Sequence, residues 1–160
     1  MSLARKNVRL KAYEFLHSHR AATLATITTN KTPDAATVFY IVDNDLFIYF
    51  MTRVESRKFR NIEKHQEISM VITDENTMET IQLTGVAERI EDLKEESGAL
   101  TKLWTADYGN PNWPGPAAKL FESGHSVQLA VLKVMPLEMT YASFEKRENG
   151  NIKSFFEKII

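Results

Sequence analysis

The densest chemistry in this chain lies in Met51-Thr52-Arg53-Val54-Glu55-Ser56-Arg57-Lys58-Phe59-Arg60. An apolar, strand-like run ends at Met51 and Thr52, and a helical pattern starts near Ser56. A helix start exposes backbone N–H groups and carries partial positive charge. Arg57, Lys58 and Arg60 crowd that turn, and Arg53 precedes it. Cations are mildly unfavourable there on their own. A phosphate would resolve the conflict by accepting the N–H groups, the Ser56 hydroxyl and the fork of Arg57. A plainer use of the same residues stands beside this one. Ser56 can simply cap the helix, Thr52 with Glu55 fits a capping box, and the basic side chains can point into water. The residues by themselves leave both uses open.

Other groups carry less. His17 and His19 are two apart, which does not set them on one helix face. His65 falls at a helix end, where it suits the local dipole, and His125 stands beside Gly124. No metal site is expected from these spacings. Cysteine is absent, so there is no thiolate nucleophile or disulfide framework. Asp43 and Asp45 flank a turn and read as turn residues. The sequence has no Gly-x-Ser-x-Gly elbow, Walker loop or Rossmann fingerprint. No residue stands out as an obligatory acid or base, so the catalytic residues are unknown at this level. Trp104, Tyr108 and Trp113 surround an irregular stretch rich in glycine and proline. Packing under that loop is their expected role, and stacking on a planar ring is the alternative.

The elements that must position the cation cluster are set by periodicity. Val8, Ala12, Phe15 and Leu16 recur at helical spacing. Strands are expected at Ala22–Thr29, Ala35–Val42 and Leu46–Thr52, with polar turns between them. Leu46–Met51 is apolar at every position, so both of its faces should be buried. A short helix over Ser56–His65 comes next, then strands at Glu67–Thr73 and Thr80–Ile90. Gly85 inside the latter suggests a bulge or a close backbone approach. A helix is expected over Asp92–Trp104, then strands at Ser126–Val134 and Leu137–Phe144 interrupted by Pro136. The tail suits a hairpin at Asn149-Gly150. About seven strands with a few helices over this length suggest one small barrel.

Composition sets the outer limits. The 160 residues fit one domain, 1–160, and 43% of them are apolar, enough for a core. Twenty basic against 21 acidic side chains argue against a nucleic-acid binder. The apolar runs Phe39–Val42 and Leu46–Met51 are strand-sized, so no membrane span is expected. Met1–Lys6 and the residues after it lack an apolar signal core, which points to a cytoplasmic protein.

Three stretches taken in order resemble the pyridoxamine 5′-phosphate oxidases and their general-stress-protein relatives. They are Leu46–Thr52, then Ser56-Arg57-Lys58, then Thr84-Gly85-Val86-Ala87-Glu88-Arg89-Ile90. The resemblance runs from about Ala22 to Asp92 and is carried by element order and spacing. It implies a mainly β fold with flanking helices, a Greek-key-like split β-barrel that works as a homodimer. It implies FMN as cofactor, in a groove between subunits, and an oxidoreductase acting on a small molecule. Thr52, Ser56, Arg57 and Lys58 would hold the phosphate end, with Met51 beside them on the third strand. Thr37 and Val38 would meet the ring through backbone groups. Gln82, or Thr80 in the neighbouring register, would match a family glutamine near the isoalloxazine; a polar residue on the solvent side is the alternative. Residues around Trp104, Tyr108 and Trp113 would approach from the partner subunit. Two departures bear on the chemistry. The oxidases carry Arg-x-Val-Leu-Leu-Lys on the second strand, where this chain has Ala36-Thr37-Val38-Phe39-Tyr40-Ile41. The oxidases' carboxy-terminal arginine and histidine pattern is not recognisable either. Pyridoxamine 5′-phosphate is therefore not the expected substrate. A non-catalytic flavin- or haem-binding protein and a deazaflavin-dependent reductase are the alternatives on the same barrel.

Overall fold

The computed structural model describes residues 3–106, 128–146 and 152–160. Tyr108, Trp113, His125 and the Asn149-Gly150 pair lie outside them. Helix α1 (Leu3–Ser18) leads into β1 (Ala21–Ile27), β2 (Pro33–Val42) and β3 (Ile48–Arg53). Helix α2 (Arg57–Lys64) comes next, then β4 (Glu67–Asp74), β5 (Glu79–Arg89), α3 (Leu93–Thr105), β6 (Leu129–Lys146) and β7 (Ile152–Lys158). The strands form one antiparallel sheet in the order β3-β2-β1-β4-β5-β6-β7, and β3 also pairs with β6. That second pairing closes six strands into a barrel, which removes the exposed edges of an open sheet.

Alternation decides what fills the barrel. Leu24, Val38, Tyr40, Ile48, Phe50, Met70, Ile72, Ile81, Leu83, Leu132 and Tyr141 point inward and are buried. The two barrel ends are plugged by helices. Ala12, Phe15 and Leu16 of α1 join the core at one, and Phe59 and Ile62 of α2 join it as well. Tyr40 ties strand to helix by donating its hydroxyl to the Leu16 carbonyl at 3.0 Å. A second, smaller cluster lies outside the barrel wall. There Ile41, Met51, Ile90 and Val131 are covered by Ala99 and Leu103 of α3. So β3 is buried on both faces, as its uniform apolarity requires.

Two elements differ from the sequence reading. β3 begins at Ile48 because Leu46 sits in the left-handed region at φ 70°. The Asp43 carboxylate fixes this turn, accepting from the N–H groups of Asp45 and Phe47 at 2.9 Å each. The strand pair expected on either side of Pro136 is one continuous strand, β6. Its proline lies opposite Gly85, where the β5–β6 register shifts. A bulge tolerates the missing N–H group of proline, so the strand bends there without ending. β6 and β7 pair antiparallel from Lys146–Ile152 onward, as expected of a hairpin. Among the described residues no helix is long and apolar enough to cross a membrane.

The bend depends on the missing side chain of Gly85. A Cβ at that position would lie 2.4 Å from the Met135 carbonyl oxygen, closer than atoms can pack. Gly85→Ala is therefore expected to lower unfolding free energy by about 1–3 kcal/mol. Urea denaturation checks this, and an unchanged midpoint would show that β6 moves aside freely.

Candidate functional site

The barrel wall opens where β3 leaves β2. β3 pairs with β6 along its whole length, from Ile48 to Arg53. It pairs with β2 only at Tyr40–Phe50, Ile41–Tyr49 and Val42–Ile48. Continued, that register would set Val38 against Thr52. Instead the Pro33–Val38 part of β2 has β1 as its single ladder partner among the described residues. The Tyr40 N–H points to the β1 side, where the Arg20 carbonyl accepts it at 3.0 Å. Strand alternation then turns the backbone groups of Ala35 and Thr37 toward the opening.

The opposite lip of the opening is the β3–α2 junction. Ser56 caps α2 with extended backbone angles, and its hydroxyl accepts from the Phe59 N–H at 3.2 Å. The Thr52 and Ser56 hydroxyls lie 3.0 Å apart. This replaces the Thr52–Glu55 capping box: the helix starts at Arg57, and Glu55 is exposed ahead of it. A Ser56 cap serves only the third N–H of the helix. The N–H groups of Arg57 and Lys58 have no intrahelical acceptor and face the same end. The cation cluster thus stands over an open helix start.

Its wiring includes residues that sequence patterns did not flag. A guanidinium nitrogen of Arg57 is 3.3 Å from Asp34 Oδ1, while three-quarters of the Arg57 side chain stays exposed. Asp34 Oδ2 accepts from Asn61 Nδ2 at 3.3 Å, and Asn61 also donates to Thr26 Oγ1 at 3.0 Å. Thr26 in turn donates to the Asp34 carbonyl at 3.3 Å. Asn61 and Thr26 are buried, so this network fastens α2 to the ends of β1 and β2. No sequence pattern marked Asn61, which at about 3.6 residues per turn stands well off the Phe59–Ile62 side of the helix. Beside the network an open groove of about 610 Å³ runs along Arg57, Arg60 and Lys64 and the β1–β2 turn. Lys58 is partly buried. Burial pushes its ammonium below the usual lysine range, Asp34 pulls it back up, and Arg57 lowers it again.

Thr37 lies on the β2 side of the parting, and Thr52, Ser56, Arg57 and Lys58 lie at the β3–α2 junction opposite. Val38 and Met51 point their side chains into the two apolar clusters; the same alternation turns the Met51 backbone to the opening and that of Val38 to β1, so Val38 does not face a ligand there as the resemblance implied. Gln82 is exposed on the outer wall of the barrel. Register places it in one row with Val71, Thr23 and Thr37. At ordinary strand spacing that puts Gln82 about 14 Å from Thr37. Thr80 hydrogen-bonds locally, to the Ile72 carbonyl at 3.0 Å and to Thr73. Trp104 is half-exposed near the end of α3.

Comparison with known proteins agrees with the barrel. The family model described as pyridoxamine 5′-phosphate oxidase matches residues 10–141. A solved structure from Clostridium acetobutylicum, related to general stress protein 26 of B. subtilis, aligns with a TM-score of 0.65 at 15% identity, covering 96% of each chain. A pyridoxamine 5′-phosphate oxidase-related, FMN-binding protein from Nostoc punctiforme aligns at 0.61 and 16% identity, covering 98% of this chain and 97% of that one. A haem-binding protein from Mycobacterium smegmatis aligns at 0.62 and 21% identity, over 97% of this chain and 58% of the other. At these identities the likeness is one of fold. No curated protein matches the chain.

Lys58 yields a prediction with a definite sign. Its folded-state pKa lies below that of the unfolded chain. The unfolded chain therefore binds the proton more readily, and the charged lysine costs stability at neutral pH. That cost fades as pH rises through the folded-state value. Lys58→Met should leave the stability of the ligand-free protein at pH 7 unchanged or slightly higher in urea unfolding. A loss of more than about 1 kcal/mol would mean that the ammonium supports the fold.

Proposed function

The chain belongs to the pyridoxamine 5′-phosphate oxidase family, and on that premise we propose that it is an FMN-binding flavoprotein. The observation that carries this reading is the open start of α2, where Arg57 and Lys58 stand beside the parted strands β2 and β3. The donor set fits a phosphate. It offers a guanidinium fork, an ammonium already disfavoured by burial, and two N–H groups of a helix start. An anion there would reverse the penalty on Lys58. Thr52 and Ser56 complete the phosphate end, and Thr37 and Met51 offer backbone groups along the opening. Gln82 would meet the ring system from the outer wall. When bound, FMN would supply hydride or electron transfer, while the protein positions the ring and limits solvent access.

We also assign the working form as a homodimer. The outer face of β2-β1-β4-β5 supports this. Ala35, Thr37, Thr23, Ala25, Val71 and Gln82 make a field on the outer wall with no charged side chain among them. Val71 is 39% exposed at its centre. Such a field suits a self-complementary contact and would carry the opening to the subunit boundary. The reaction we assign is an oxidoreduction of a small molecule, with a nicotinamide nucleotide or another reductant as electron donor. Pyridoxamine 5′-phosphate is a poor candidate, because the oxidases' carboxy-terminal substrate-binding arginine and histidine pattern is not recognisable in this chain.

Absorption spectroscopy tests the cofactor. The purified protein should show flavin absorption bands, or acquire them on adding FMN; an intense Soret band instead would favour haem. The double variant Arg57→Ala/Lys58→Ala should weaken FMN binding about a hundredfold or more with little change in thermal unfolding of the ligand-free protein. Unaltered affinity would refute the phosphate assignment. Val71→Arg should turn a dimer into monomers in sedimentation, and a monomeric parent chain would overturn the dimer.

A further inference from the structure

Asp34 is the one carboxylate wired into the phosphate end of the opening among the described residues. It lies only 3.3 Å from Arg57, the group best suited to grip a phosphate. Its other oxygen is held by the Asn61 amide at 3.3 Å, and Asn61 is buried and fixed by Thr26. Its side chain is 15% exposed, against 75% for Arg57. The acid is thus the anchored partner and the guanidinium the mobile one. Its charge also reaches Lys58, whose ammonium it favours. Both cations of the site therefore already share one anion belonging to the chain.

We propose that Asp34 is a built-in competitor for the phosphate of the flavin, so that FMN is held as an exchangeable ligand rather than a permanently bound group. This rests on the FMN reading above and concerns the affinity of that same site. Arg57 and Lys58 bring two positive charges and Asp34 removes one. A phosphomonoester near neutral pH carries close to two negative charges. An incoming phosphate must take Arg57 from Asp34, then lie beside an anchored like charge. The exposed ion pair itself is weak, so it yields to a stronger anion. The fixed carboxylate cannot leave, so its repulsion remains in the complex. An acid that merely oriented Arg57 would do the opposite, since removing it would loosen the fork and weaken binding.

Asp34→Asn separates the two roles, because the amide keeps the shape and can still accept from Arg57 or Asn61. The full-length protein is titrated with FMN, following quenching of flavin fluorescence, for the parent chain, Asp34→Asn, Arg57→Ala and the double variant. Thermal unfolding of each ligand-free protein reports on folding. Asp34→Asn should bind FMN about tenfold more tightly than the parent, with slower release of the flavin. Most of that gain should persist in the Arg57→Ala background, since the repulsion between the fixed carboxylate and the phosphate does not need Arg57. Equal or weaker binding by a folded Asp34→Asn, while the parent binds FMN, would overturn the competitor role and leave the FMN reading intact. If Asp34→Asn fails to fold, Asp34→Ser takes its place under the same criterion. Failure of parent and variants alike to bind FMN would overturn both.

Discussion

Everything distinctive about this barrel comes from the divided pairing of β3. The strand gives its full length to β6 and only three residues to β2. Closure through β6 pairs one side of β3, so the cost of leaving β2 falls on the groups that Met51 turns to the seam and on β2 itself. There the first half of β2 keeps a single ladder partner among the described residues. A buried strand edge without partners is expensive, while an edge that faces a polar ligand or solvent is tolerable. The opening is therefore a site created by topology, before any side chain adds specificity.

The rest of the fold holds the seam in place. α2 plugs the barrel through Phe59 and Ile62, and this places its first turn at the lip of the opening. The buried Thr26–Asn61–Asp34 network then fixes the helix against β1 and β2. On the far side, the shift between Gly85 and Pro136 lets β5 and β6 curve enough to reach β3. α3 seals the outward side of the same wall through Leu103 and Ala99. Packing thus fixes the backbone at the junction, while three-quarters of the Arg57 side chain stays exposed. That pairing of a packed frame with an exposed cation suits capture of an anion from solution.

Local patterns made much of this legible. Alternation placed the strands, the uniformly apolar Leu46–Met51 run announced burial on two faces, and Ser56 marked the helix start to the residue. The cation cluster after a buried strand was visible because it conflicts with the helix dipole. What stayed hidden depends on contacts far apart in sequence. Asp34 and Arg57 are neighbours only because β2 and α2 meet across the seam. Pro136 read as a strand end because a one-strand view cannot see Gly85 opposite it. The Thr52–Glu55 box failed for a related reason: Thr52 is still committed to β6 through Ala130, so it cannot serve as a helix cap.

The proposed function stands or falls on a phosphate group being what the α2 start recognises. Side-by-side titration of the parent protein with FMN and with riboflavin asks this directly, since the two differ only in that group. FMN should bind about a hundredfold more tightly, and the difference should shrink with rising salt. Equal affinities for the two flavins would contradict the phosphate site, and with it the function built on it.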